Sequence, residues 1–321
     1  MLRGTKNRFL ALFTILTLLF VLAGCGNSES SGKEKSSEKE TITIKHAMGE
    51  SKVPANPKRV VVLTNEGTEA LLALGIKPVG AVQSWTGNPW YNHIKDDMKD
   101  VEVVGTEMEP SLETIASLKP DLIIGNKVRQ EKVYDKLNAI APTVFTEELR
   151  GDWKENFKVY AKTVNKEKEG NKVLSDFDNR VAGLKEELGD ETNKKVSLVR
   201  FMAGETRIYH KDTFAGIILD QLGFKRPEEQ NKADFAEMGV TDERIPAMDG
   251  DVLFYFTYDT GDKKGNEVEK EWTNKELFKN LSVSKNGQVY KVDDAVWNTA
   301  GGVIAADKML DDIEKYFLNK K

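Results

Sequence analysis

Apolar residues along this chain fall into one long block near the N-terminus and then into short runs separated by polar turns. Residues 9–22 are apolar apart from Thr14 and Thr17. At about 14 residues the block is short of a bilayer span and suits the hydrophobic segment of an export signal. The next run is Arg59-Val60-Val61-Val62-Leu63, β-branched and strand-like. Thr64-Asn65-Glu66-Gly67 then turns it into the helix-forming Thr68-Glu69-Ala70-Leu71-Leu72-Ala73-Leu74, stopped by Gly75. Pro78-Val79-Gly80-Ala81-Val82 reads as a second strand, residues 111–118 as a helix with Ser111 as N-cap, and Asp121-Leu122-Ile123-Ile124-Gly125 as a buried strand. Later the logic repeats. Lys195-Val196-Ser197-Leu198-Val199 reads as a strand, residues 213–222 as a helix closed by Gly223, and Asp251-Val252-Leu253-Phe254-Tyr255-Phe256 as another buried strand. Strands alternating with helices predict parallel pairing in an α/β fold.

Between these halves the period changes. Trp153, Phe157, Tyr160, Ala161 and Val164 recur at helical spacing. After a charged interruption at 165–171, Val173, Leu174, Phe177, Val181, Leu184 and Leu188 continue it. The second piece, residues 170–188, would span about 28 Å as a helix. The predicted organisation is therefore an N-terminal α/β lobe over 41–150, a helical connector over 151–189, and a C-terminal α/β lobe over 190–321, with one long helix joining two lobes.

The first 40 residues carry their own chemistry. Arg3, Lys6 and Arg8 precede the apolar block, and Leu22-Ala23-Gly24-Cys25 follows it. That ending is a lipobox: small residues suit the signal peptidase, and the Cys25 thiol accepts the lipid. Cys25 is the single cysteine in the chain, so no intramolecular disulfide is possible. We expect a signal peptide over 1–24, lipidation of Cys25, and a flexible tether over 25–40, a stretch too polar to bury a core. Residues 1–24 hold three basic and no acidic groups, so their removal takes the net charge from −5 to −8. An acidic chain without a basic block is a poor match for nucleic acid.

One internal echo stands out. Glu113, Ile115, Leu118, Asp121, Leu122 and Ile123 match Glu243, Ile245, Met248, Asp251, Val252 and Leu253 at identical spacing. Two lobes of related design account for it.

With the lipobox, the tether, the Arg59–Gly80 motif and the Ser111-Leu112-Glu113 to Lys119-Pro120-Asp121-Leu122-Ile123 motif, the chain from about Ile42 onward resembles the substrate-binding lipoproteins of ABC importers for ferric siderophores and cobalamin. It looks most like Gram-positive receptors for citrate-based hydroxamate siderophores of the schizokinen and arthrobactin type. The resemblance implies a helical-backbone binding protein, monomeric, tethered by lipid to the outer face of a Gram-positive cell membrane. It also implies partners, namely a permease and a separate ATPase subunit. In such receptors a glutamate at the tip of each lobe docks on permease arginines, and the matching positions are Glu113 and Glu243. A siderophore brings its own oxygens to Fe(III), so no cofactor and no protein metal ligand are implied.

Candidate ligand residues follow from chemistry. Ligands gather at the carboxyl ends of parallel strands, and a chelate with carboxylate and hydroxamate oxygens calls for cationic donors. Arg200 follows one predicted strand and Arg129 another, and arginine offers a planar fork of constant charge. Trp85 and Trp90, in a Gly/Asn/Pro loop, and Trp297, in a loop of small residues, are candidate aromatic walls. Tyr209 and His210 lie on the next extended segment, and Asn65 ends the first strand. Receptors for highly anionic siderophores carry more arginines towards the C-terminus, whereas the segment after Tyr290 here has lysines and no arginine, so the resemblance implies a ligand of low net negative charge. A haem or cobalamin receptor of the same fold is the alternative. His46, His93 and His210 are too scattered for a zinc receptor, and neither a nucleophile elbow nor a phosphate-binding glycine loop occurs. The chain is expected to bind rather than catalyse.

Overall fold

A computed structural model describes residues 40–149, 151 and 153–318. The expectations for the signal peptide, Cys25 and nearly all of the tether lie outside those residues. Residues 39–321 form one compact unit.

The chain opens with an antiparallel hairpin of β1 (Thr41–His46) and β2 (Gly49–Pro54). The first main sheet has the order β5-β4-β3-β6-β7, from β3 (Val60–Val62), β4 (Gly80–Ala81), β5 (Glu102–Val103), β6 (Leu122–Asn126) and β7 (Thr143–Thr146). All its pairings are parallel. Every residue of β3, β6 and β7 is buried, as continuous apolar runs covered on both faces require. Helix α1 (Asn65–Ala73) follows β3 directly; its N-cap is Thr64, whose side chain accepts from the Gly67 N–H. Helix α2 (Leu112–Ser117), capped by Ser111, leads into β6, and the short α3 (Lys127–Gln130) leaves it.

The second sheet has the order β10-β9-β8-β11-β12, from β8 (Val196–Met202), β9 (Glu205–Tyr209), β10 (Ala236–Glu237), β11 (Val252–Tyr258) and β12 (Val289–Val292). Here the all-parallel expectation needs correction. The β8, β11 and β12 strands are parallel, but β9 folds back antiparallel on β8 and β10 on β9. The cause is local. Met202 pairs with Glu205 across a two-residue turn, with Gly204 at φ +75°, a conformation glycine adopts without a Cβ clash.

The helical connector comes in two pieces, as the charged interruption predicts: α4 (Trp153–Thr163) and the long α5 (Glu167–Leu188), with a break at 164–166 that is narrower than the expected 165–171. Asn165, at φ +55°, breaks them apart. Their buried faces, Trp153, Phe157, Tyr160 and Ala161 on α4 and Leu174, Phe177, Val181, Leu184 and Leu188 on α5, follow the helical spacing. The 22 residues of α5 extend about 33 Å before the chain enters β8. Helices α6 (Phe214–Leu222) and α7 (Lys264–Asn274) flank the second sheet, and the last helix, α8 (Val303–Phe317), returns to pack on both α5 and α1. One hydrophobic core consequently runs from the first sheet through the connector helices to the second.

The internal echo has a structural reason. Asp121 accepts the backbone N–H groups of Lys58 and Arg59 at 2.8 and 2.9 Å, and Asp251 accepts that of Lys195 at 2.7 Å. Each aspartate precedes a central strand, β6 or β11, and ties down the start of its parallel neighbour, β3 or β8. Ile115 and Ile245 are both fully buried.

Candidate functional site

A cavity of about 470 Å³ opens between the two sheets. It lies where the central strands end. Glu66 comes from α1 just after β3, Arg129 from α3 just after β6, Arg200 and Met202 from the end of β8, and Tyr258 from the end of β11. The carboxyl ends of parallel strands thus meet across one space, the place this class of sheet reserves for ligands. Trp85, Glu107, Arg207, Tyr209 and the segment 298–301 complete much of the wall.

Arg200 lies inside β8, not beyond it as expected, and is only 7% exposed. Its Nε and Nη2 donate to the two carboxylate oxygens of Asp294 at 2.6 and 3.0 Å, and its Nη1 donates to the Tyr209 hydroxyl at 3.4 Å. Its guanidinium carbon stands 4.8 Å from the centre of the Tyr258 ring. Burial works against this charge, but the Asp294 carboxylate outweighs it and leaves the Arg200 pKa above its ordinary value. Arg207 sits directly across from Arg200 in the β8–β9 pairing and bonds to Glu205 at 2.6 Å.

On the other side, Arg129 packs 5.7 Å from the Trp85 ring centre, and its Nε is 3.5 Å from Glu107 Oε2. Glu107 is held by the backbone N–H of Asn65 at 2.7 Å and by its side-chain amide at 2.8 Å. Each cavity arginine therefore has an acidic partner: Glu107, Asp294 or Glu205. Glu66 is the exception among the cavity carboxyls: among the described residues it forms no ion pair. Tyr160 donates to its Oε1 at 3.2 Å and Asn156 also bonds it, while burial pushes its pKa up to about 8.

Of the residues named from sequence, Arg129, Arg200, Trp85 and Tyr209 come together in this cavity. The others do not line it. Trp297 lies in a π-helical turn, Ala295–Thr299, where a loop was expected; it is fully buried, 4.6 Å from the Phe254 ring, with its indole N–H on Asp312, and residues 298–301 face the cavity instead. Trp90 is a core residue. His210 is buried with Nδ1 on Asp234. Asn65 is buried behind Glu107 and positions it. Glu66, Glu107, Arg207, Tyr258 and Asp294 were not anticipated. Arg207 had a signal, since it shares a strand face with Tyr209 two residues on; Asp294, distant in sequence from Arg200, had none. Glu113 and Glu243 are both exposed, Glu113 in the first turn of α2 and Glu243 in a 3-10 turn before β11. Among the described residues no cluster of three or more His, Cys, Asp or Glu could hold a metal ion, and no helix is long and apolar enough to cross a membrane.

The family model described as periplasmic binding protein matches residues 60–296, from β3 to just past Asp294. This chain belongs to that family. Its members are binding proteins. The chain is 59% identical to the probable siderophore-binding lipoprotein YfiY of Bacillus subtilis (strain 168), over 98% of this chain and 100% of that one. It is 34% identical to the putative ABC transporter substrate-binding lipoprotein YhfQ of the same organism, over 96% and 98%. Among solved structures it matches Staphylococcus aureus SirA complexed with staphyloferrin B, with a TM-score of 0.79 and 41% identity over 87% of this chain and 99% of that one. The helical-backbone α/β fold inferred from sequence is the fold of these relatives.

Proposed function

We propose that this chain captures a ferric siderophore of the citrate-hydroxamate type in the cavity between its sheets and delivers it to the permease of an ABC importer. It would act from the outer face of the membrane, held there by lipid on Cys25 and the tether that follows, over 25–40, ahead of lobes at 41–150 and 190–321. The observation that carries the ligand class is the pairing of each cavity arginine with a carboxylate. Such a site presents many N–H donors to chelate oxygens while holding little net positive charge, and so suits a chelate of low negative charge. Trp85, Tyr209 and Tyr258 supply flat walls. YfiY, named a probable siderophore-binding lipoprotein, and SirA, solved with staphyloferrin B, support a siderophore as the ligand and say nothing of the hydroxamate type.

Trp85 lines the cavity, whereas Trp90, Trp153, Trp272 and Trp297 are buried in the core. Ligand entry should therefore be read by Trp85 fluorescence. In the chain from residue 26 onward, ferric schizokinen should quench saturably. Trp85→Phe should remove most of the signal, and Arg129→Ala should weaken binding roughly tenfold, the loss of one charge-assisted contact. Quenching by haem or cobalamin but by no ferric siderophore would overturn the ligand assignment and leave the fold intact.

Glu113 and Glu243 are proposed as the permease contacts. Both are exposed, and the repeated motif puts each ahead of an equivalent central strand. The double variant Glu113→Ala/Glu243→Ala should bind ligand normally yet lose most iron uptake in cells. Full uptake would remove them from the interface.

A further inference from the structure

The wall of the cavity holds one acidic group that the arginines do not neutralise. Glu66 stands in the first turn of α1, and its side chain is almost wholly buried at the cavity edge. Nearby groups offer it hydrogen bonds or repulsion but no cation. On α4, the Tyr160 hydroxyl donates to Oε1 and Asn156 bonds the carboxyl. On its own helix, Glu69 adds negative charge; it is occupied by His93 and by the backbone N–H of Ala305. From the loop before α2, Glu107 adds more, with Arg129 spent on it. From the second sheet, Arg200 and Arg207 border the same cavity and are bound to Asp294 and Glu205. A buried carboxylate among carboxylates is unfavourable, and the neutral acid is the form this setting selects.

We propose that Glu66 is a specificity-determining residue of the cavity, presenting a neutral carboxylic acid whose O–H donates to an anionic oxygen of the bound ferric chelate. The inference rests on the siderophore reading and deepens it. With Tyr160 and Asn156 donating to the Glu66 carboxyl, its acid O–H is left for the ligand. The cavity then combines a neutral donor on the first-sheet side with prepaired arginines on the second. An anionic chelate bound against Glu66 keeps that proton in place, and a cavity that has lost it repels the chelate.

The consequence is a proton coupled to capture. With burial pushing the Glu66 pKa up to about 8, binding should take up little proton at pH 7. Uptake should rise towards one proton per chelate by pH 9. Over the same interval affinity for ferric schizokinen should fall, approaching tenfold per pH unit once Glu66 is ionised in the empty protein. Calorimetric titration of the chain from residue 26 onward, which keeps the compact unit whole, measures uptake directly when run in two buffers of different ionisation enthalpy. Glu66→Gln keeps the shape and a donor but cannot titrate, and should abolish both the uptake and the pH dependence. Tyr160→Phe removes a donor that favours the ionised form and should move the affinity midpoint to higher pH. This second variant serves should the first fail to fold. Binding without proton uptake between pH 7 and 9, or the same uptake in Glu66→Gln, overturns the role of Glu66 alone. Absence of binding by ferric schizokinen at every pH overturns the ligand assignment and this inference with it.

Discussion

Arg200 and Asp294 show how one pair sets the character of the site. Both are buried, and they bond through two parallel hydrogen bonds. Burying one such ion alone costs several kcal/mol, so each is tolerated only because the other is there. Asp294 also accepts the Thr299 hydroxyl at 3.1 Å, which links the ion pair to the cavity segment 298–301. Arg200→Ala should therefore harm more than ligand contact. It strands Asp294, and we expect about 3–5 kcal/mol of lost stability, seen as a lower midpoint in urea. The pair replaced together by Arg200→Met/Asp294→Leu should regain most of that stability while still binding ferric schizokinen poorly. If both variants are equally unstable, the pair is not the unit that matters.

At the level of elements, the junction between α1 and α8 fastens the first sheet to the last helix. Glu69 on α1 is fully buried and takes the backbone N–H of Ala305, in the first turn of α8, at 2.9 Å, along with His93 Nε2 at 2.5 Å. A carboxylate at a helix N-terminus satisfies an otherwise unpaired donor and complements the helix dipole. Gly302 makes the approach possible, because a Cβ there would stand 2.6 Å from the Glu69 side chain. Glu69→Ala should cost about 2–4 kcal/mol through two unsatisfied buried donors. Hydrogen exchange should localise the loosening to the first turn of α8. Exchange that rises evenly across the chain would show that Glu69 acts through the core at large. On the far flank, Arg180 of α5 bonds Asp307, Asp311 and Glu314 of α8, so α8 is held from two sides.

Across the whole compact unit, the two sheets are joined by α4, α5 and α8 and by one continuous hydrophobic cluster, with a separate cluster on the opposite face of each sheet. Packed interiors resist continuous deformation, and hinge closure needs a boundary where few contacts cross. None is evident here. Ligand capture should occur with little movement of one sheet against the other. Small-angle scattering of the chain from residue 26 onward should show a change in radius of gyration below about 1 Å on saturation with ferric schizokinen, since domain closures that slide or swing whole lobes produce more. A contraction of several Å would mean that the core parts along a seam invisible in the unliganded form.

Much of this protein was legible in local pattern. The apolar runs at 60–63 and 122–125, the cap Ser111, the stop at Gly223 and the periodic faces of 153–188 are local signals, and they set strands, helices and fold class. Arg129, Arg200, Trp85 and Tyr209 were legible because position after or near a central strand predicts exposure to the cleft. What pattern could not decide was partnership. Trp297 and its neighbours 298–301 are consecutive in the chain, yet one packs into the core and the others face the cavity, a choice made by Phe254 and Asp312 from distant segments. The pairing of each arginine, the isolation of Glu66 and the turn-back of β9 likewise arise from residues far apart in the chain. Sequence by itself determined most of the segments that form strands and helices and placed Arg129, Arg200, Trp85 and Tyr209 near the cleft, because those depend on neighbours a few residues away. Tertiary structure alone decided which charges are neutralised and which aromatic faces are open, because burial and Coulomb partners depend on distance in space.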